Sequence, residues 1–310
     1  MLPGLVAGHY RVSEVVIDLA RLAREAGAVL VLDRAVGLDA ARKVVTLEKG
    51  GELEYDLLSL NLGSLPETTV PGSAEHALAA KPFETFLEEW EAKRASAKRI
   101  AVVGAGAAGV EMAMAVRHRL PQASVTLYSD RPMFAGRLAG RISSALQRCG
   151  VELRANTAVE ALEPGPVVVA GGVRGPFDLV LWTAGAAPQP WLRGTGLAND
   201  TRGFVLVDAN LRSVSHPEVS AVGDSATLRD APHPKSGVYA VRHAAVLLAN
   251  LRAALEGGPL AAYRPQQRQL ALVSCGAKYA IASRGGWSAE GGWVWRWKDW
   301  LDRRWVARFR

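Results

Sequence analysis

The sequence predicts an α/β protein wound around a parallel sheet, and three observations carry that prediction. An apolar run, Arg99–Val103, ends in Gly104-Ala-Gly106-Ala-Ala-Gly109 and passes at once into a helix-forming run over 110–116. A second β-type run, Ser124–Tyr128, follows Pro121 and ends in Ser129-Asp130-Arg131. A third, over 177–182, leads into Thr183-Ala184-Gly185. In such a strand-turn-helix unit Gly104 permits the tight turn, Gly106 lets a pyrophosphate approach the backbone, and Gly109 lets the helix lie close on the sheet. The first N–H groups of the helix then face the phosphates. The reading is a dinucleotide site in mid-chain, against the alternative of an ordinary βα turn.

The elements follow in order. Residues 14–26 repeat apolar positions at helical spacing and stop at Gly27, which predicts a helix. Three β-type runs come next, over 28–32, 43–47 and 52–60, with Gly50-Gly51 supplying the positive φ of a hairpin turn. Residues 66–98 contain Pro71, Pro82 and a charged helical stretch over 83–98, and read as a linker. A boundary is expected near residue 97. After the glycine turn the helix closes before Pro121. Where the strand Ser124–Tyr128 ends, an acid would accept from a ribose 2′-hydroxyl and an arginine would pair with a 2′-phosphate. Ser129, Asp130 and Arg131 offer both, so NADH against NADPH stays open; the alternative is a turn cap beside a solvated charge. Further βα material runs through 141–148, 151–154 and 167–170.

Composition narrows the classes. The 310 residues are 49% hydrophobic, enough for sizeable cores. No uninterrupted apolar run approaches the ~18 residues of a spanning helix, and the start lacks the basic and apolar regions of a signal peptide, so a cytoplasmic location is the expectation. Cys149 and Cys275 are too few for a disulfide scaffold, and no metal-ligand spacing is present. The net charge of +7 would suit nucleic acid, acidic lipid or a phosphorylated cofactor. Its distribution decides between these. Trp293, Trp297, Trp300, Leu301, Trp305 and Phe309 recur every three or four residues, and residues 293–310 hold six basic side chains against two acidic. Such a helix suits the inner face of an anionic membrane, or packs its tryptophans on the protein or on a second copy. No nucleic-acid module accompanies it.

The loop at Thr183-Ala184-Gly185 through Pro188, and Val219-Ser-Ala-Val-Gly223-Asp224-Ser-Ala226 further on, resemble the crossing loop and flavin strand of the FAD-dependent pyridine nucleotide-disulfide oxidoreductase superfamily. Asp56–Ser64, with Gly63, resembles the matching loop of the first flavin segment. The resemblance is to the type II NADH dehydrogenase-like members, and within them the branch associated with selenide, water dikinase, through the start of the chain and residues 234–243. It implies two Rossmann-like domains binding FAD and NAD(P)H, the flavin domain discontinuous: 1–97 and 191–265 for the flavin, 98–190 for NAD(P)H, and 266–310 as a short C-terminal region. Such proteins open with another strand-Gly-x-Gly-x-x-Gly-helix unit, and residue 1 already lies beyond it. The flavin domain is therefore expected to be N-terminally incomplete, through a late start or a truncated coding region, or else through loss of tight flavin binding.

The resemblance further implies an NAD(P)H oxidoreductase that passes hydride from nicotinamide to flavin and on to a small-molecule acceptor. No Cys-x-x-Cys or Cys-x-x-x-x-Cys pair exists, so no dithiol relay operates. Quinone-reducing members carry a Gln-bearing helix after the flavin strand; residues 238–245 lack the Gln, which leaves the acceptor open. Asp224 would accept from the ribityl chain, Gly237 and Val238 would offer N–H groups to the flavin, and Lys235 would offset charge on it. Glu111 would orient the carboxamide or bond nearby backbone, or simply answer the helix dipole. His243 either lines the flavin with that segment or, with Arg242, begins an exposed helix, the second being the expectation. A rival reading is a nucleotide-binding or membrane-associated interaction protein that has lost flavin and turnover.

Overall fold

Capping and branching decide the N-terminal elements. The computed structural model describes residues 1–132, 134–266 and 268–310. Helix α1 (Leu2–Val6) has Pro3 in its first turn, where a missing N–H costs nothing. The helix expected over 14–26 is two helices, α2 (Val12–Val15) and α3 (Leu19–Glu25). The β-branched run Val15-Val16-Ile17 resists a continuous helix, and Asp18 accepts the Arg21 N–H at 3.0 Å to start a new one. Residues 28–32, expected as a strand, are irregular, with Val29 90% and Leu32 78% exposed. Among the described residues no strand pairs with them, and a β-type run without a ladder partner does not hold as a strand.

Strands β1 (Ala35–Asp39), β2 (Val44–Leu47) and β3 (Glu52–Glu54) form an antiparallel meander, with φ of +95° at Gly50 and +104° at Gly51 turning the second hairpin as expected. The run over 52–60 breaks, however, and β4 (Leu58–Leu60) joins a different sheet. The stretch read as linker is structured: α4 (Ser73–His76), β5 (Leu78–Ala79) and α5 (Phe83–Lys93) lie within it. Phe86 and Trp90, four residues apart on α5, are fully buried with rings stacked at 6.4 Å. Burying each is worth about 3 kcal/mol, which a free linker would forgo.

The wound unit then unrolls as β6 (Arg99–Val103), α6 (Ala107–Arg119), β7 (Ser124–Tyr128), α7 (Gly136–Cys149) and β8 (Val151–Arg154). Strands β9 (Val159–Glu163), β10 (Val167–Ala170) and β11 (Val173–Pro176) form a separate antiparallel sheet before β12 (Leu179–Trp182) returns to the first. Next come β13 (Val205–Val207), β14 (Val219–Ala221), β15 (Ala226–Leu228) and α8 (Gly237–Glu256). The chain ends with β16 (Ala271–Ser274), β17 (Ala280–Arg284), β18 (Trp287–Gly291) and α9 (Gly292–Val306).

These elements gather into two compact units. The first comprises Met1–Leu30, Pro66–Gly185 and Arg268–Arg310. Its five-stranded sheet runs β5-β12-β6-β7-β8, every pair parallel. Buried on both faces, the strands read as continuous apolar runs, and β6 buries Ile100 through Val103. Helix α6 is apolar nearly all round, covered by α1 as well as the sheet. The second unit comprises Val31–Leu65 and Ala186–Gln267. There β4 pairs in parallel with β14, which sews two distant segments together, and β13 pairs in parallel with β15 within the second of them. Helix α8 has the length and composition to cross a bilayer. Its Asn250 is nonetheless buried, bonding the carbonyls of Asn210 and Ala261 and the Ala261 N–H.

Candidate functional site

In the first unit the glycine turn has the shape its residues call for. Gly104 stands at φ +100°, and a Cβ there would lie 2.7 Å from the Ala184 backbone. A Cβ on Gly109 would lie 1.7 Å from the Gly104 carbonyl oxygen, so only glycine fits. Gly106 differs in kind. It caps α6 at φ −66°, which any residue adopts, and a Cβ there would meet nothing within 4 Å. The turn therefore leaves open space over the first N–H groups of α6, where an anion is favoured by both unsatisfied donors and the helix dipole. This is the fit expected of a dinucleotide pyrophosphate.

Thr183 braces that turn from β12. Its Oγ1 lies 2.9 Å from the carbonyl oxygens of both Val103 and Gly104, and its N–H donates to Val103. Gly185, at φ +66°, packs against Glu67, so a Cβ would come within 2.4 Å of that side chain. At the end of β7, Ser129 is buried and its hydroxyl donates to the Arg131 carbonyl. Asp130 and Arg131 pair with each other at 2.7 Å on the surface, and the guanidinium holds the Asp130 carboxyl below its usual range. The acid and the base that follow β7 thus answer one another.

Glu111 lies on the second turn of α6, and its Oε1 accepts the Ser274 N–H at 2.8 Å. Of its three expected roles, bonding to backbone is the one the structure displays.

In the second unit the two segments expected at a flavin come together. Gly223 has φ +63°, and a Cβ there would approach the Asn61 side chain to 3.1 Å. The next residue, Asp224, accepts the Ser64 hydroxyl at 3.0 Å, which ties the loop after β14 to the loop after β4. Gly63, at φ +66°, faces open space. Helix α8 starts at Gly237 and Val238 with no side-chain cap from Ser236, so its first N–H groups present a second anion-favouring end. The residues fit a flavin's polar chain at Asp224. The one Gly-x-Gly-x-x-Gly turn in the sequence belongs to the first unit.

Two residues are placed differently from the sequence reading. Lys235 turns its ammonium onto the Ala226 carbonyl and the Thr227 hydroxyl (2.9 Å), over the Phe204 ring at 4.0 Å. Burial lowers its pKa to about 8. His243, expected on an exposed helix, is fully buried and accepts the Gly223 N–H at Nδ1, 3.0 Å away. Helical spacing alone did not say which face of α8 met the turn at Gly223–Ser225. Sequence reasoning also missed Ser64 and Glu67.

The C-terminal helix divides its aromatic residues. Val294, Trp295 and Val306 are buried, Trp295 joining Ala280 and Ala282 in one cluster, while Trp293 and Trp300 stay about half exposed. Arg304 stacks over Trp300 and Arg308 over Trp305. Cys149 and Cys275 are free thiols, and burial pushes Cys275 up to about 12, so neither serves as a ready nucleophile.

A parallel sheet with a glycine-rich turn in one unit and a carboxylate loop in the other define the two-Rossmann-domain class of fold. The chain belongs to the pyridine nucleotide-disulphide oxidoreductase family, whose model matches residues 7–246. That membership implies FAD and NAD(P)H as cofactors. Similar proteins include a demethylphylloquinone reductase of Synechocystis, 28% identical over 88% of this chain and 74% of that one. An alternative NAD(P)H-ubiquinone oxidoreductase of Arabidopsis thaliana is 29% identical over 86% of this chain. This chain spans 61% of that relative's length. Among solved structures, the sulfide:quinone oxidoreductase of Aquifex aeolicus superposes with a TM-score of 0.83 at 17% identity, over 99% of this chain and 81% of the other. The water-forming NADH oxidase of Lactobacillus brevis gives 0.78 at 22% identity, over 92% and 66%. These likenesses show the shared fold.

Proposed function

We propose that the chain is an NAD(P)H-dependent flavoprotein oxidoreductase that delivers electrons to a quinone. The observation that carries the reading is Gly106, a helix cap with open space above it between two glycines that tolerate no side chain. Two similar proteins act, by their names, on demethylphylloquinone and ubiquinone, which favours a quinone acceptor. FAD held at Asp224 would supply the hydride-accepting chemistry between the nicotinamide and the acceptor.

The chain's own residues bind and orient. Gly104, Gly106 and Gly109 hold the pyrophosphate on α6, Ala184 and Thr183 lock the turn's shape, and Gly185 lets the crossing loop pass Glu67. Ser129, Asp130 and Arg131 meet the adenosine ribose. Asp224, with Gly63, Gly223, Gly237 and Val238, holds the polar part of the flavin. Lys235 and Glu111 act as braces for β15 and β16, each fixing a backbone segment beside a nucleotide site. A nicotinamide nucleotide on the first unit and a flavin on the second, a homodimer, and a link to selenide, water dikinase belong to the same proposal. So does membrane contact through the exposed Trp293 and Trp300 with their neighbouring arginines, at the cytoplasmic face.

The test is anaerobic reduction. Protein reconstituted with FAD should hold a yellow flavin that bleaches on adding NADH or NADPH and recolours on adding a soluble quinone. Protein that binds the reduced nicotinamide nucleotide yet takes up no flavin would sink the reading.

A further inference from the structure

Behind the Gly223-Asp224 loop lies a buried aromatic cluster that the proposed chemistry does not use. His243 sits on the second turn of α8 with no exposed surface. Its Nδ1 accepts from the Gly223 N–H, so the proton of the neutral ring must sit on Nε2. His233 is set the other way: its Nδ1 lies 3.1 Å from the Pro234 carbonyl oxygen, to which it can only donate, so its Nε2 is the bare acceptor. The two rings stand 5.3 Å apart; His233 stacks on Tyr239 at 4.0 Å, and His243 meets the Tyr263 ring edge-on at 4.4 Å. Backbone atoms on both sides thus fix two tautomers of opposite polarity.

The Gly223 N–H is where this matters. The loop is held at three successive residues: Gly223 by His243, Asp224 by Ser64, and Ser225 through its hydroxyl to Val222 and Leu60. The first tie rests on an imidazole acceptor and the second on a carboxylate, whereas the third is made by a hydroxyl. A buried N–H without a partner is costly, and Gly223 at positive φ resists no rotation of its own.

We propose that His243 is a positioning residue for the carboxylate loop, its Nδ1 fixing the Val222-Gly223 peptide and so the aim of Asp224. The inference rests on the reading that this loop meets the flavin. The device works only while Nδ1 is bare, because a proton there would set two donors face to face. Burial and the basic groups around it oppose that proton: His233 and Lys235 face it and Arg242 precedes it on the helix, while Tyr239 and Tyr263 are neutral and Asp224, in the loop it holds, is an acid that would favour it. Burial, with His233 and Lys235, pushes the His243 pKa down to about 4.

The experiment compares the full chain with its His243→Asn and His243→Phe variants. Asparagine offers an amide oxygen close to the place of Nδ1, whereas phenylalanine keeps the ring's bulk without an acceptor. Amide exchange at Gly223 is read in cofactor-free protein, and FAD affinity by titration. His243→Phe should speed Gly223 exchange and weaken FAD roughly tenfold each, the size expected of one lost buried hydrogen bond; His243→Asn should restore both. In the wild type Gly223 protection should fall on acidification toward about pH 4, and this acid limb should vanish in His243→Asn. A folded His243→Phe with wild-type Gly223 exchange and FAD affinity would overturn the proposal. Should that variant not fold, the nitrogen-15 shifts of the wild-type ring decide, and a proton on Nδ1 at neutral pH would overturn it equally. Faster Gly223 exchange in His243→Phe, in a protein whose wild type binds no FAD, would uphold His243 as the loop's anchor while removing the flavin assignment.

Discussion

Replacing Gly106 by valine separates a ligand cradle from a mere turn, because the free fold has room for the new side chain. Its φ of −66° suits any residue and no atom lies within 4 Å of the added Cβ. The cap itself loses about 1 kcal/mol, since glycine is a better residue than an aliphatic one before a helix, and the thermal melt reads that loss separately. A pyrophosphate seated on the first N–H groups of α6 would meet the valine methyls and forfeit about two hydrogen bonds to a charged group, near 1.5 kcal/mol each. The expected loss is about 3 kcal/mol, or roughly 100-fold in affinity for the reduced nicotinamide nucleotide. Calorimetric titration of NADH and NADPH reads the affinity, and a thermal melt reads the fold. Gly109→Ala is the opposite control: its Cβ would sit 1.7 Å from a backbone oxygen, so it should destabilise by about 3 kcal/mol before any ligand is added. A stable Gly106→Val protein with wild-type affinity for both nucleotides would refute the reasoning, for nothing would then approach α6 at that point.

Three further outcomes are expected. Asp130→Ala should release Arg131 for a 2′-phosphate and raise the preference for NADPH over NADH about tenfold, with the melting temperature unchanged because an exposed pair contributes little; an unmoved preference would place the ribose elsewhere. The buried His243 should make stability fall as pH drops from 6.5 toward about 4, since the unfolded chain takes up a proton that the folded one refuses. Urea melts across that window should show a loss of about 3 kcal/mol in the wild type, and an equally steep loss in His243→Asn would show that other groups cause it. Trp293→Ala with Trp300→Ala should cut flotation with anionic vesicles several-fold, and equal flotation would mean that the exposed indoles serve another surface.

The wound unit was legible because its signals are local. Strand periodicity, three glycines and a helix-forming run stand within 18 residues, from Arg99 to Val116, and each glycine's role follows from backbone geometry alone. Partners far apart in the chain were not legible. Glu111 reaches Ser274 across 163 residues, and Ser64 reaches Asp224 across 160, with nothing in either neighbourhood to announce the other. Residues 66–98 misled through their prolines and charges, although Phe86 and Trp90 at helical spacing marked a buried face. The run over 28–32 misled in the other direction: its β propensity is high, but propensity without a neighbouring strand fixes nothing.

The path of the chain has a consequence for how the molecule is made. It passes from one unit to the other four times, after residues 30, 65, 185 and 267. A chain emerging from the ribosome therefore has every residue of the second unit before the first can close, because the hairpin sheet and α9 arrive last. Until then α6, which β16 helps to cover, waits with an apolar flank in water. Nascent chains whose residue 267 has just cleared the exit tunnel should accordingly display a finished carboxylate loop while the glycine turn's unit is still unfinished.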